Sequence, residues 1–148
     1  MKKVFIYFSL TGNLDLVANN YKEKGIDVIK VELLKKFPKS KFFSILKGGY
    51  LASRNAKSKI KEVNLDITNY DLVIIGSPIW NARLSTPINT VLDKLDLTNK
   101  QIEFVFSSGS GEGKKALEKV NSLYNNPKVI FLKEPKKYSN ELQKLVIE

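Results

Sequence analysis

The stretch FIYFSLTGN, residues 5–13, decides the fold of this chain. Val4–Phe8 is a short apolar run that predicts a buried strand, and it stops at the small and polar residues Ser9–Asn13. Apolar residues at helical spacing then predict one face of a helix: Leu14, Val17, Ala18 and Tyr21. We expect Gly25 to end this helix. The opening of the chain is therefore a strand, a polar turn and an amphipathic helix.

The same strand–helix alternation continues along the chain. Further strands are predicted at Ile26–Leu33, Asp71–Gly76, Ile102–Phe106 and Val129–Leu132. The first of these alternates polar with apolar residues, which favours a place near the edge of a sheet. Further helices are predicted from about Pro87 (face Ile88, Val91, Leu92, Leu95), over 112–124 (face Ala116, Val120, Leu123) and after a capping Ser139 (face Leu142, Leu145, Val146). Residues 34–61 indicate a loop with one short helix.

Alternating strands and helices predict an α/β chain with a three-layer, doubly wound, five-stranded parallel sheet. We expect residues 1–148 to form a single domain of this class. The sequence has no cysteine and no histidine, which argues against disulfides, thiol nucleophiles, zinc, copper or haem sites and Ser-His-Asp hydrolases. No apolar stretch is long enough to span a membrane, so we expect a soluble, cytoplasmic protein.

Positive charge is concentrated in one segment. The chain carries a net charge of +10, and residues 30–61 hold ten of its 25 Lys and Arg but a single acid, Glu32. This segment is either a solvated lysine-rich face or a docking patch for an acidic partner. Phe42, Phe43 and Tyr50 interleave with its lysines, as in nucleic-acid binders, but Phe42, Ile45 and Leu46 lie at helical spacing, which also suits a core. We expect no nucleic-acid partner.

Three polar loops follow the predicted strands and should share one rim of the sheet, where ligands of such folds bind. They are Ser9–Asn13, Gly76–Pro87 and Ser107–Gly113. The first offers hydroxyls, a glycine for close backbone approach, and the positive end of a helix, so it suits a phosphomonoester; an ordinary capped turn is the alternative. The second holds Trp80, which either anchors the loop or stacks on a planar ligand. The third offers backbone donors without bulk. FMN has the shape that would satisfy all three loops.

The motifs YFSLTGN, YDLVIIGSPIW and FSSGSGEG, at residues 7–13, 70–80 and 106–113, resemble the flavodoxin family over nearly the whole chain. The resemblance implies strand order 2-1-3-4-5, one non-covalent FMN and one-electron transfer at low potential. By motif, the phosphate loop comprises Ser9, Leu10, Thr11, Gly12, Asn13 and Leu14. The flavin ring would be flanked by Ser77, Pro78, Ile79, Trp80, Asn81 and Ala82 on one side, and by Ser107, Ser108, Gly109, Ser110 and Gly111 on the other.

The sequence departs from the family pattern in ways that leave alternatives open. Leu14 stands where the family often has a threonine, so one phosphate hydroxyl is missing, and the third loop lacks the aromatic residue that often covers the flavin. That outer face is either open or covered by Tyr50. An open face would suit the alternative function, an FMN-dependent NAD(P)H:quinone-type oxidoreductase. A further alternative is a dinucleotide site at Gly111–Ala116, which spells G-x-G-x-x-A, with Glu134 downstream.

For an electron carrier, we expect a monomer whose partners are redox proteins. Acidic partners would dock on the basic segment 30–61, since opposite charges attract.

Overall fold

The computed structural model describes residues 1–37, 40, 47, 50 and 56–147. The parallel strands are β1 Lys3–Tyr7, β2 Asp27–Lys30, β3 Leu72–Trp80, β5 Gln101–Ser108 and β6 Lys128–Lys133, and a short strand, β4 Arg83–Leu84, lies between β3 and β5 in the chain. The five parallel strands form a sheet in the order β2-β1-β3-β5-β6. Counted along the chain without β4, this is the predicted order 2-1-3-4-5. The prediction that the second strand lies at an edge is confirmed.

Helices cover both faces of the sheet, which confirms the three-layer prediction. They are α1 Asn13–Glu23, α2 Thr86–Lys94, α3 Lys114–Leu123 and a 3-10 helix at Ser139–Lys144. Side chains alternate along the strands. Phe5, Tyr7 and Ile74 pack in one core cluster with α1 and Leu145, whereas Val4 and Ile6 pack in the other with α2 and α3. Gly76 allows β1 and β3 to pack closely, because a Cβ there would lie 2.5 Å from Cζ of Phe5.

The prediction that the third strand ends at Gly76 is wrong. This strand, β3, continues through the Ser-Pro dipeptide to Trp80 and turns back into β4, Arg83–Leu84, as an antiparallel hairpin. Asn81 and Ala82 form the two-residue turn with φ of 50° and 61°. Positive φ at both central residues is the geometry of the type I′ turn that commonly joins two-residue hairpins. The predicted long loop 76–87 is therefore largely a hairpin, and its residues Ser77, Trp80 and Leu84 are buried.

Other boundaries also differ from the predictions. The edge strand spans Asp27–Lys30 rather than Ile26–Leu33. The last helix is 3-10 and begins after Tyr138, and Ser139 does not cap it through its side chain. Val146 lies beyond that helix and is 59% exposed. Leu123, at the end of α3, is 56% exposed because Tyr124 turns into extended backbone and packs on Phe104 instead.

Several predicted features have clear local causes in the structure. α1 ends at Glu23, and Gly25 follows with φ of 77°, donating its N–H to the carbonyl of Lys22. Pro87 lies in the first turn of α2, where its missing N–H costs no helical hydrogen bond. Within 34–61, Lys47 and Tyr50 are helical, and the remainder of the predicted short helix lies outside the described residues.

Candidate functional site

A cleft of about 800 Å³ opens at the rim where the parallel strands end. We call it the rim cleft. It brings together most of the predicted site residues: Ser9, Leu10, Thr11, Asn13, Leu14, Pro78, Ile79, Trp80, Asn81, Ser107, Ser108 and Gly109. Tyr50, Glu134, Lys136 and Lys137 complete its lining. Residues from all three predicted loops therefore meet in one place.

One end of the rim cleft is the N-terminus of α1. Gly12 precedes the helix with φ of 94°, a conformation that favours glycine, and the Ser9 Oγ accepts hydrogen bonds from the N–H of Gly12 (3.1 Å) and of Leu14 (3.3 Å). A hydroxyl has two acceptor lone pairs and one proton. Because both lone pairs of Ser9 are used, its O–H remains as a donor. The loop thus presents a hydroxyl proton beside the positive end of the helix dipole.

The sequence prediction missed a lysine at this end. Lys136 follows β6, and its Nζ donates to the carbonyl of Thr11 at 2.8 Å. Its backbone N–H donates to Oδ1 of Asn13 at 3.0 Å. The signal was available, because the loop after the last parallel strand ends at the same rim as the other three. It was overlooked because Lys136 is one of many lysines in a basic chain.

Asp15, in the first turn of α1, is held in a defined charge state. Its Oδ1 accepts hydrogen bonds from the Tyr7 hydroxyl at 2.7 Å and from Nζ of Lys30 at 2.8 Å. Burial alone would raise the pKa of Asp15, but these hydrogen bonds and the nearby positive charge of Lys136 outweigh it, so the pKa is lowered. Burial, followed by the bond to Asp15, raises the pKa of Tyr7. Asp15 is therefore a carboxylate, and Lys30 offsets its charge beside the N-terminus of α1.

Trp80 forms part of the other end of the cleft. It is only 8% exposed, and its ring packs edge-on against Phe8 at 5.7 Å and tilted against Phe37 at 5.3 Å. Of the two sequence interpretations, anchoring describes most of the indole, which belongs to the core. A remaining part of the side chain still lines the rim cleft.

Five predicted residues lie outside the lining of the rim cleft. Ala82 and Ser110 line an adjoining, smaller cleft of about 360 Å³, the side cleft. The Ser77 hydroxyl is fully buried and is hydrogen-bonded to Oγ of Ser85 at 2.9 Å, so it closes the hairpin instead of facing the rim. Gly111 packs against Lys133, and Gly12 caps α1.

The glycines of the G-x-G-x-x-A motif have packing roles in this structure. A Cβ on Gly113 would lie 3.0 Å from Cγ1 of Ile79, so glycine lets α3 approach the hairpin without displacing the Ile79 side chain. Ala116 then donates its N–H to the carbonyl of Ala82 at 2.9 Å. These contacts fix the Asn81–Ala82 turn beside the cleft.

Tyr50 is 61% exposed and lines the rim cleft. The sequence left two possibilities for the outer face of a planar ligand, an open face or a face covered by Tyr50. Glu134 directly follows β6, and its backbone N–H donates to the carbonyl of Ser108 at 3.2 Å. Its carboxylate Oε1 is 4.0 Å from the position of a Cβ on Gly109.

Other features of the described residues narrow the choice of site. A second cleft, the far cleft, has a volume of about 780 Å³. It lies at the opposite ends of the strands, where β3, β5 and β6 begin, and it is lined by Leu97, Gln101 and Tyr124 among others. Within the described part of the chain, no group of three acidic residues is placed to hold a metal ion. Nor does any helix there combine the length and the apolar character that crossing a membrane requires.

Comparison with known proteins identifies the family. The family model for NADPH-dependent FMN reductase matches residues 11–141. None of the curated proteins matches the chain.

Solved structures share the fold at low sequence identity. A flavoprotein from Lactobacillus acidophilus, solved in complex with FMN, has a TM-score of 0.73 at 22% identity over 94% of this chain and 97% of its own. A structure provisionally assigned as a flavoprotein, from Bacteroides eggerthii, has a TM-score of 0.71 at 20% identity over 99% of both chains. A flavodoxin from the domain Archaea has a TM-score of 0.53 at 18% identity over 97% and 90%.

The family match confirms the predicted cofactor, FMN, and the structures confirm the flavodoxin-like fold. This chain belongs to the NADPH-dependent FMN reductase family and is a flavodoxin-like flavoprotein.

Proposed function

We propose that this protein binds one FMN non-covalently in the rim cleft and uses it to move electrons from a pyridine nucleotide to an acceptor. The phosphate of FMN would lie at Ser9–Leu14 and the ring system between Pro78–Asn81 and Ser107–Gly109. The observation that carries the proposal is that one rim cleft has an anion-binding end and an end walled by Trp80 and backbone.

The residues present fit FMN at both ends. The anion end has a hydroxyl proton on Ser9, an ammonium on Lys136, and no Cβ at Gly12, where one would lie 3.4 Å from Cδ of Lys136. The ring end has apolar side chains from Pro78 and Ile79 and small residues at 107–109. The volume, about 800 Å³, is within the range of cofactor pockets. FMN would supply the electron-transfer chemistry, and the protein supplies position and electrostatics.

The side cleft supports a pyridine nucleotide as the electron donor. It shares Ile79, Ser108 and Gly109 with the rim cleft, so a second ligand there would lie next to the first. Lys114 and Glu112 both line it, so the lining itself has no net charge, and an anionic nucleotide would take Lys114 as its cationic partner. The family description, which names NADPH, supports the same donor.

Steady-state kinetics test the proposal. FMN-loaded protein should oxidise NADPH and pass both electrons to a quinone, giving NADP⁺ and quinol in equal amounts, without any other protein. Protein freed of FMN is the control and should have no activity until FMN is restored. Failure of the FMN-loaded protein to oxidise NADPH, with several acceptors, would contradict the reductase function.

A second candidate, a one-electron carrier of low potential, is supported by the surface charge. The described lysines of segment 30–61 include Lys57, paired with Asp93 at 2.9 Å, and Lys61, paired with Glu32 at 3.5 Å. Neither lysine lines the rim cleft, although Tyr50 of the same segment does, so the charge of these lysines would act through partner docking, in which an acidic redox protein binds a monomer of this chain. Such a carrier would oxidise NADPH only when a separate reductase is added, and its transfer rate would fall steeply with salt.

A further inference from the structure

The loop that follows β6 reaches across the anion end of the rim cleft. Glu134, Lys136 and Lys137 of this loop all line the cleft. Its backbone is fixed: the N–H of Glu134 bonds to the carbonyl of Ser108, and the N–H groups of Lys137 and Tyr138 bond to the carbonyl of Glu134. Backbone hydrogen bonds on both sides of Lys136 therefore fix the position of its main chain.

Two hydrogen bonds place Lys136 over the phosphate loop. Its N–H donates to Asn13 Oδ1 at 3.0 Å and its Nζ to the Thr11 carbonyl at 2.8 Å. An ammonium has three donors, so two remain after the bond to Thr11. Among the residues that the structure describes, no carboxylate lies close enough to Lys136 to form an ion pair. The charge is thus positioned and still available to a ligand.

The charges at the N-terminus of α1 indicate what Lys136 could contribute to ligand binding. The Leu14 side chain is buried in the core and offers no hydrogen-bond donor at this end, and the carboxylate of Asp15 lies in the same helical turn. Lys30 pairs with Asp15 on the side of β2, and Lys136 lies across the loop from it. Without Lys136, a phosphate at the N-terminus of α1 would have only the helix dipole and hydrogen-bond donors to bind it, because Lys30 is paired with Asp15.

We propose that Lys136 is the residue that recognises the terminal phosphate, so that the site selects phosphorylated flavin over riboflavin. The proposal rests on the proposed function, because it assigns a role in the same cleft. Lys136 keeps its bond to the Thr11 carbonyl and directs its remaining N–H donors at the phosphate oxygens, where its charge strengthens each hydrogen bond.

Affinity measurements on two flavins test this role. FMN and riboflavin are titrated into Lys136→Met, Lys136→Arg and wild-type protein, with flavin fluorescence as the readout. Lys22→Met is the matched control, since it removes the same charge from an exposed position at the other end of α1. A hydrogen bond to a charged group contributes about 1.5–3 kcal/mol, which predicts that Lys136→Met weakens FMN binding by roughly 10- to 150-fold. Riboflavin binding should change less than about twofold, and Lys136→Arg should restore most of the FMN affinity.

Each outcome decides the question. If both flavins lose affinity equally in Lys136→Met, the lysine only shapes the loop and the proposal is wrong. If FMN affinity is unchanged in that variant while wild-type protein binds FMN, the proposal fails and the proposed function stands. If wild-type protein binds neither flavin, both fail. A loss confined to FMN, together with a weaker dependence of its affinity on salt than in the wild type, supports the proposal.

Discussion

Replacing Ser9 by alanine should have two separable effects, because its hydroxyl has two kinds of partner. As an acceptor, Oγ bonds the N–H groups of Gly12, the N-cap residue of α1, and of Leu14 in its first turn. Loss of these hydrogen bonds should lower the free energy of unfolding by about 1 kcal/mol, since a single hydrogen bond contributes about 0.5–1.5 kcal/mol. With a urea m-value of about 2 kcal/mol/M, the unfolding midpoint of FMN-free protein should fall by about 0.5 M.

As a donor, the Ser9 hydroxyl has one proton left, and the proposed phosphate is its partner. A hydrogen bond to a charged group contributes about 1.5–3 kcal/mol, so Ser9→Ala should weaken FMN binding by roughly 10- to 150-fold. Riboflavin has no phosphate and should lose far less affinity. The assay is fluorescence titration of each flavin, with urea unfolding of the flavin-free protein measured in parallel.

Ser122→Ala is a suitable control, since Ser122 is exposed near the end of α3 and bonds only the carbonyl of Lys119 there. It should leave both flavin affinities unchanged. The reasoning would be refuted if Ser9→Ala bound FMN as tightly as the wild type, or if the two flavins lost affinity by the same factor.

Three further substitutions test the fold and the electrostatics. Gly76→Ala should lower the free energy of unfolding by about 1–3 kcal/mol in a urea assay, because the new Cβ would lie 2.5 Å from Cζ of Phe5. Gly109→Ala is the control, since its new Cβ would have no neighbour closer than 4.0 Å, and its free energy of unfolding should differ from that of the wild type by less than about 0.5 kcal/mol. The folded-state pKa of Asp15 is lowered, so its contribution to stability is present above the unfolded pKa near 3.9 and is lost as pH falls through the folded value. In urea unfolding from pH 7 to pH 2, the free energy of unfolding should therefore fall more steeply with decreasing pH for the wild type than for Asp15→Asn, and the same pH dependence in both would contradict this. Ala82→Gly should stabilise the protein by about 0.5–1 kcal/mol, because relief of the strain at φ of 61° exceeds the entropic cost of glycine; a loss of stability would mean that the turn is not strained.

The sheet was predictable because its strands are short apolar runs separated by amphipathic helices. Leu72–Ile75 is such a run, and its pairing between β1 and β5 follows from the order that the flavodoxin resemblance implies. The edge position of β2 was visible in its alternation of polar and apolar residues. These signals are local in sequence and agree with the packing, so nothing in the tertiary structure overrides them.

The β3–β4 hairpin was not predictable from the same signals. Gly76 and Pro78 are typical of strand ends and turns, yet β3 continues through both. Gly76 is needed for close packing against Phe5, a contact between strands that local sequence does not reveal. Ala82 at positive φ is also unexpected, since that conformation is costly for residues with a Cβ.

Three loops of the candidate site were predicted, and the fourth was overlooked. The rule that ligands bind where parallel strands end brought Ser9, Asn81 and Ser108 to one cleft. The same rule applies to the loop after the last strand, but nothing in the local sequence distinguishes Lys136 from the other surface lysines, and Glu134 was considered only as part of a dinucleotide motif. Trp80 was ambiguous because a large aromatic side chain can anchor a loop and line a cleft at once, as it does here.

The account depends most directly on where FMN binds, because the rim cleft and the far cleft have similar volumes. A ¹H–¹⁵N NMR titration of the flavin-free protein with FMN measures this residue by residue. We predict saturation at one FMN per chain, with the largest amide shifts at Gly12, Asn13, Asn81 and Gly109, and little change at Leu97 and Gln101. Shifts centred on the far cleft, or no saturable shifts at the rim, would contradict the account.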